Sequence, residues 1–313
     1  MPVTRLSDRE RIINHLKPLM DAGKKIKNFD ETLPIKMDSY DKGAWTGLKL
    51  IALKYYIKPY LNILGGRQKL AYIDLFSGPG LNLLGDRKVP IAGSSTIPLI
   101  IRESSNNFST YIYSDKSNEY LSALNTRLDH LKKENENIFI PESSKDANDR
   151  IFELPDILSE NKITHSLVFI DPEGLELNFD SLKYLAENIN CDIIINFPSK
   201  GIARVRPYKE TLKRFLGTDE EPPSENMSSW AIEIYRKQLL EIGKDISTEI
   251  KIKADRSGSF YYHLIPAVTR TSGGSPWFRV FVELKNLIEK FDGDILETIS
   301  QQIDGRATSI RDF

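Results

Sequence analysis

Five short apolar runs, each stopping at a polar or glycine-rich rim, limit the fold of this chain more than any other feature. They are Leu70–Phe76, Thr110–Ser114, Ile138–Ile140, Ser166–Ile170 and Asp192–Phe197. Within each run the apolar residues are continuous rather than alternating, which suits strands buried on both faces of a parallel sheet. Helical stretches lie between them. After Ser117, for example, Tyr120, Leu121, Leu124, Leu128 and Leu131 fall at helical spacing. Strand and helix in repeated alternation predict a doubly wound α/β domain.

The flanks read differently. Ser7 with Glu10 forms a capping box ahead of Ile12, Ile13 and Leu16. A second helix is expected over about Trp45–Leu64, with Pro59 kinking it or ending its regular part and Gly65-Gly66 as its stop. After Pro198, residues 200–245 read as helices around the acidic linker 219–225. Three strands are then expected, at about 248–253, 260–268 and 277–284. The turn 271–276 joins the last two into a terminal antiparallel hairpin, and the tail from about Leu284 is helical. The domains are therefore a helical extension over 1–66, a ligand-binding α/β domain over 67–285 with a helical insertion at about 200–246, and a helical tail over 286–313.

In open α/β sheets ligands sit at the carboxyl ends of the strands, and the chemistry-bearing residues collect there. The first run gives Asp74 and Phe76, then Gly78 and Gly80; the second gives Asp115; the third leads to Asp146; the fourth gives Asp171, Pro172 and Glu173; the fifth gives Asn196 and Phe197. The glycine turn does not run G-x-G-x-x-G into a helix. Position 83 is Leu, and a loop over Leu81–Gly93 precedes the next helix, near Ser94. This disfavours a dinucleotide and an NAD-dependent oxidoreductase. Asp74 would repel a pyrophosphate and attract an ammonium or sulfonium, which points to S-adenosylmethionine. Asp115 suits two adjacent ribose hydroxyls, because a carboxylate accepts from both at once; its plain structural reading is a helix cap. Asp146 could accept from an adenine amino group or cap the helix Ala147–Leu158. Asp171 and Glu173 leave an apolar strand for the cleft, where either could orient an acceptor or take its proton.

Lys+Arg number 43 against Asp+Glu 44, so any nucleic-acid footprint must be local. Lys200, Arg204, Arg206, Lys209, Lys213 and Arg214, with Tyr208 and Phe215 among them, form such a stretch, readable either as a phosphate-binding patch or as a solvated helix face. A single cysteine excludes a disulfide framework and a Cys-rich zinc site, and four histidines leave little for a metal cluster. Cys191 stands at the wrong end of its strand for a nucleophile and reads as a buried thiol; His263 reads as a satisfied sheet histidine. The charged N-terminus is unlike a signal peptide, and the best apolar run, 48–64, is broken by Lys49, Lys54, Lys58 and Pro59. A soluble, cytoplasmic protein without a membrane partner is expected.

Asp74-Leu-Phe-Ser-Gly-Pro-Gly80, Ala92-Gly-Ser-Ser95, Phe169-Ile-Asp-Pro-Glu-Gly174 and Ile195-Asn-Phe197 together resemble the three-Cys-motif partner protein (TcmP) family. The Lys-rich N-terminal helix and Phe260-Tyr-Tyr-His-Leu-Ile265 also fit. The resemblance implies a Rossmann-like class I methyltransferase fold and a partner carrying a three-cysteine motif, similar to radical-SAM-type proteins. Methyl transfer to nucleic acid, DNA or RNA, is the expected activity. On this reading Asp74, Gly78 and Gly80 hold the methionine end, Asp115 the ribose and Asp146 the adenine, with Phe76 also binding the cofactor. Asp171, Pro172 and Glu173 face the acceptor, which Asn196, Phe197, Lys200, Arg204 and Arg206 bind. The alternative is a non-catalytic adaptor that keeps the fold. One departure matters: amino-group methyltransferases of nucleic acid carry Asp/Asn-Pro-Pro and an aromatic, and Glu173 and Gly174 stand in the last two places. The stacking wall for a flipped base is then missing from this loop, leaving Phe197 to supply it.

Overall fold

The computed structural model describes residues 6–30, 41–101, 106–134, 136–205, 207–246, 248–269 and 277–305. Helix α1 (Asp8–Asp30) opens on the expected capping box: Ser7 N–H and Oγ–H donate to Glu10 Oε2 at 2.7 and 2.8 Å, and Glu10 N–H donates to Ser7 Oγ at 3.3 Å. Strand β1 (Asp41–Lys42) leads into α2 (Thr46–Leu64), which continues through Pro59 to Leu64. Next come β2 (Leu70–Asp74), β3 (Leu81–Leu84), β4 (Val89–Ala92), α3 (Ile97–Ile100), β5 (Thr110–Tyr113), α4 (Asn118–Leu131) and β6 (Asn137–Phe139). The middle of the chain supplies α5 (Ala147–Ile151), α6 (Leu154–Glu160), β7 (His165–Ile170), α7 (Phe179–Asn188) and β8 (Cys191–Phe197). A 3₁₀ turn (Ile202–Val205), α8 (Lys209–Leu216), α9 (Met227–Glu241), β9 (Lys244–Asp245), β10 (Ile250–Lys253), β11 (Tyr261–Thr269), α10 (Trp277–Ile288) and α11 (Gly293–Ile303) complete it.

The main sheet has the order β10-β11-β8-β7-β2-β5-β6, with β9 paired to β11. From β8 to β6 every pairing is parallel, whereas β11 is antiparallel to both β8 and β10. This is the doubly wound, mostly parallel, Rossmann-like sheet expected, with one reversed strand, β11, between the parallel strand β8 and the edge strand β10. From β2 the chain first builds outward through β5 and β6, then returns to lay β7 on the other side. The topological switch point therefore lies between β2 and β7, where such folds hold ligands.

Successive side chains of a strand point to opposite faces, so two cores form. Tyr72, Tyr111, Tyr113, Leu167, Phe169 and Ile194 pack with α1, α2, α4, α10 and α11. Ala71, Ile73, Ile112, Val168, Ile170 and Ile193 pack with α5 to α9. A second sheet, β1-β3-β4, lies beneath α1; a Cβ on Gly23 would fall 2.5 Å from the Ile91 backbone, so glycine permits that approach. Cys191 is buried at the start of β8 and its thiol is pushed up to about 11, chiefly by burial.

Several local expectations change. Trp277–Leu284 is helix α10, not a strand: Phe281, Leu284, Leu287 and Ile288 are buried at helical spacing while Val282 is exposed. The terminal hairpin is instead β10 with β11, and the turn 271–276 lies outside the described residues. The Leu81–Gly93 loop is the β3–β4 hairpin. Helix 147–158 is split, because Pro155, in the first turn of α6, has no N–H with which to continue α5. Gly65 follows α2 with a right-handed φ of −62°, so no left-handed residue ends that helix at this position.

Candidate functional site

The chain segments leaving β2, β5, β7 and β8 enclose a cavity of about 610 Å³, within the range of small-molecule sites. Its base is the turn after β2. Gly78 and Gly80 take φ of +55° and +83°, and a Cβ on Gly80 would lie 2.9 Å from Leu124 and 3.0 Å from Thr96. Hydroxyls tie this turn down: Ser77 Oγ–H donates to Ser114 O (3.0 Å), Ser95 Oγ–H to Ser77 O (2.9 Å) and Thr96 Oγ1–H to Gly80 O (3.0 Å).

Asp115 crowns β5. Gly78 N–H donates to its Oδ2 and Ser117 N–H to its Oδ1, both at 2.9 Å. The helix-cap reading belongs to Ser117, whose Oγ accepts from Tyr120 N–H at 3.2 Å. Asp115 thus lines the cavity with each oxygen oriented by one amide and each retaining a free lone pair. Burial pushes its carboxyl up, and donation from Ser117 and Gly78 pulls it partly back. Asp146 lines the cavity and also caps α5, accepting from Asn148 N–H at 2.8 Å.

Asp74 differs from the sequence expectation. It is fully buried and stops one layer short of the cavity lining, with Oδ1 accepting from Phe76 N–H at 3.2 Å and Oδ2 left without a partner. Burial pushes its carboxyl up to about 7; the Ser94 hydroxyl works against this, and the charges of Asp171 and Asp115 add to it.

The acidic segment after β7 closes the cavity. Asp171 Oδ2 pairs with Lys49 Nζ, and Asp171 Oδ1 accepts from Asn196 Nδ2 at 2.7 Å. Glu173 pairs with Lys42 at 3.1 Å, and Glu176 pairs with Lys116. The three lysines come from two sides, Lys42 and Lys49 from β1 and α2, Lys116 from the β5–α4 corner. Beside the Lys49–Asp171 pair, Trp45, Phe260 and Tyr262 add aromatic residues to the lining. Lys49, Trp45, Phe260 and Tyr262 were not anticipated from the sequence.

Phe76, Gly78, Gly80, Asp115, Asp146, Asp171, Pro172, Glu173 and Asn196 all line this one cavity. Phe197 does not. It is fully buried in the core on the opposite sheet face, against Phe215 (5.4 Å) and Tyr235 (5.1 Å), because it follows Asn196 by one strand residue and points the other way. It cannot provide the expected stacking wall. Lys200 and Arg204 are exposed and lie outside the lining, and Arg206 lies outside the described residues. Two lysines of the same stretch are already paired with the acidic linker: Lys209 with Glu221 (2.7 Å) and Lys213 with Asp219 (3.0 Å). The basic patch is correspondingly narrower than its composition suggests.

No family model and no curated protein matches the sequence. Among solved structures, the chain is similar to protein LPL1258 of Legionella pneumophila, described under family model DUF519, at TM-score 0.49 and 12% identity over 76% of this chain and 91% of that one. It is also similar to Trm1 of Pyrococcus horikoshii, solved with S-adenosyl-L-methionine, at TM-score 0.40 and 12% identity. That likeness covers 70% of this chain and 55% of Trm1. An O-methyltransferase of Bacillus cereus, solved with SAH, gives TM-score 0.40 and 11% identity over 80% of this chain and all of that one, 100%. Likeness at this level leaves the chemistry to be argued from the cavity. No helix among the described residues is long and apolar enough to cross a membrane.

Proposed function

We propose that this protein binds S-adenosylmethionine in the cavity and transfers its methyl group to an acceptor held beside Asp171. The observation that carries this reading is Asp115, a carboxylate with both oxygens aimed by backbone amides at the rim of a glycine turn. The cavity is large enough for a nucleoside and carries the polar groups such a cofactor needs. Asp115 suits a ribose diol, Asp146 and the chain at Ala147 suit an adenine, and the Gly78–Gly80 turn suits the amino-acid end. Burial raises the carboxyls of Asp74 and Asp115, and a cation bound beside them would favour their charged forms. When bound, the cofactor supplies an electrophilic methyl group. The chain's own part is to fix the nucleoside, exclude water, and offer Asp171 as an oriented acceptor of a proton.

For the acceptor the reading is nucleic acid, DNA or RNA, supported by the exposed Lys200 and Arg204. Membership of the three-Cys-motif partner protein family, action with a three-cysteine-motif protein and a cytoplasmic setting complete it, supported by the motifs of the sequence. A second reading, an adaptor that keeps the fold without turnover, is favoured by one observation: Lys49 and Lys42 already engage Asp171 and Glu173.

Calorimetric titration of S-adenosylmethionine and of S-adenosylhomocysteine tests the proposal. Wild type is expected to bind both, and Asp115→Ala to bind about 10- to 100-fold more weakly, the usual loss when a charged hydrogen bond is removed. Heat from neither ligand ends the reading, and equal affinity in the variant removes Asp115 from it.

A further inference from the structure

The cavity has two halves, and the second is built from parts that lie outside the parallel core. The glycine turn, Asp115 and Asp146 stand over β2, β5 and the chain beyond β6. On the other side of the switch point stand Asp171, Asn196, Lys49 and the aromatic rings. Because β11 is reversed, its start lies beside the end of β8, with His263 opposite Phe197. Phe260 and Tyr262 therefore reach the same rim as Asp171. Helix α2 brings Trp45 and Lys49 to it from the N-terminal side. Trp45 and Phe260 stand 6.0 Å apart and tilted by 57°, so neither covers the other flat. Lys49 Nζ lies 5.7 Å from the Tyr262 ring.

The polar end of this half has a definite pattern. An ammonium has three donors, and Lys49 spends one on Asp171. A carboxylate has about four acceptor positions, and Asp171 uses one on each oxygen, for Lys49 and for Asn196. The Asn196 amide cannot be turned round, since only its NH₂ can serve the carboxylate. A donor and an acceptor therefore remain side by side, Lys49 Nζ and Asp171 carboxylate, at the foot of an aromatic wall.

On the reading given under Proposed function, we infer that this half of the cavity takes a nucleobase-type ring. The ring is a planar heteroaromatic with a hydrogen-bond donor and acceptor on adjacent atoms. The donor edge, such as an exocyclic amino group, meets Asp171; the adjacent ring nitrogen or carbonyl accepts from Lys49; the ring face lies against Trp45 and Phe260. The wall absent from the loop after β7 is supplied by the start of α2 and the β10–β11 hairpin. Specificity is thus set by Trp45, Lys49 and Phe260.

The test is calorimetry on the full chain saturated with S-adenosylhomocysteine. The probes are adenosine, cytidine, N6,N6-dimethyladenosine and 1-methyladenosine, with oligoadenylate and oligocytidylate as further arms. Adenosine or cytidine is expected to bind, and each blocked analogue of adenosine to bind about 10- to 100-fold more weakly, because one partner of the edge is left unmade. Phe260→Ala is expected to lose about tenfold or more through the missing stack, while its affinity for S-adenosylhomocysteine is unchanged. Lys49→Met should abolish the discrimination against 1-methyladenosine and Lys49→Arg should restore it. Should Lys49→Met not fold, Phe260→Ala and the analogue series decide alone. Tighter oligonucleotide than nucleoside binding assigns the ring to a strand, and the reverse to a free nucleoside. If S-adenosylhomocysteine binds and no probe does, or the blocked analogues bind as well as adenosine, the inference is overturned and the cofactor reading stands. If S-adenosylhomocysteine itself does not bind, both fall.

Discussion

Asp74 sits wholly buried beneath a cavity that gathers acids, and its cost to the fold depends on pH. Its folded carboxyl is pushed up to about 7 from an ordinary 3.8. Between those values the folded protein holds a proton that the unfolded chain has released. The stability linked to this group is therefore full below the unfolded value and is lost as pH rises through the folded one, by up to about 1.4 kcal/mol per pH unit. His15, His165 and His263 act oppositely. Burial holds each at about 4, so their contribution is present above 6.5 and lost as pH falls through 4. The raw profile mixes these effects, and the difference between Asp74→Asn and wild type isolates the first. That difference, read from urea midpoints, should grow in favour of the variant from pH 4 to 7 and then level off; a flat difference would place the Asp74 carboxyl near its ordinary range. At this scale the strand-end acids were legible, because a parallel sheet brings the carboxyl ends of distant strands together whatever the loops do. Lys49 was not, since its partner Asp171 lies 122 residues away. Its one local signal is a lysine on a helix whose neighbours Leu48, Leu50, Ile51, Ala52 and Leu53 are all buried.

Among the elements, α10 shows where periodicity misleads. Phe278, Val280 and Val282 alternate and are aromatic or β-branched, which reads as a strand. The buried set is instead Phe281, Leu284, Leu287 and Ile288. Phe281 stacks on Tyr56 of α2 at 4.6 Å and 21°, a tertiary contact that local pattern cannot reveal. Phe281→Ala should cost about 3–5 kcal/mol in urea unfolding, and Val282→Ala less than about 0.5 kcal/mol. Equal losses at the two positions would favour the alternating arrangement. The five core strands were legible for the opposite reason: burial on both faces leaves continuous apolar runs that no turn chemistry interrupts. The β3–β4 hairpin was missed because its four-residue strands carry Asn82 and Pro90 and turn at Gly85, all loop signals when taken singly.

Across the whole molecule, one face of the sheet is closed jointly by α1 and α2 from the start of the chain and α10 and α11 from its end. Leu296 packs over Gly47, where a Cβ would lie 2.6 Å from it, and Lys24 pairs with Asp304 at 2.7 Å. Deleting residues 277–313 should leave Ile51 and Tyr56 uncovered and remove the cooperative urea transition; a sharp transition in the shortened chain would show that this face closes without them. The same closure bears on biosynthesis. Roughly 230 residues separate the end of α2 from the start of α11, so at the usual elongation rates the early helices wait on the order of 10–50 s for their cover. Throughout that interval the nascent chain carries an oily stripe at the ribosome exit, and holding it apart from neighbouring nascent chains falls to whatever chaperone meets it first.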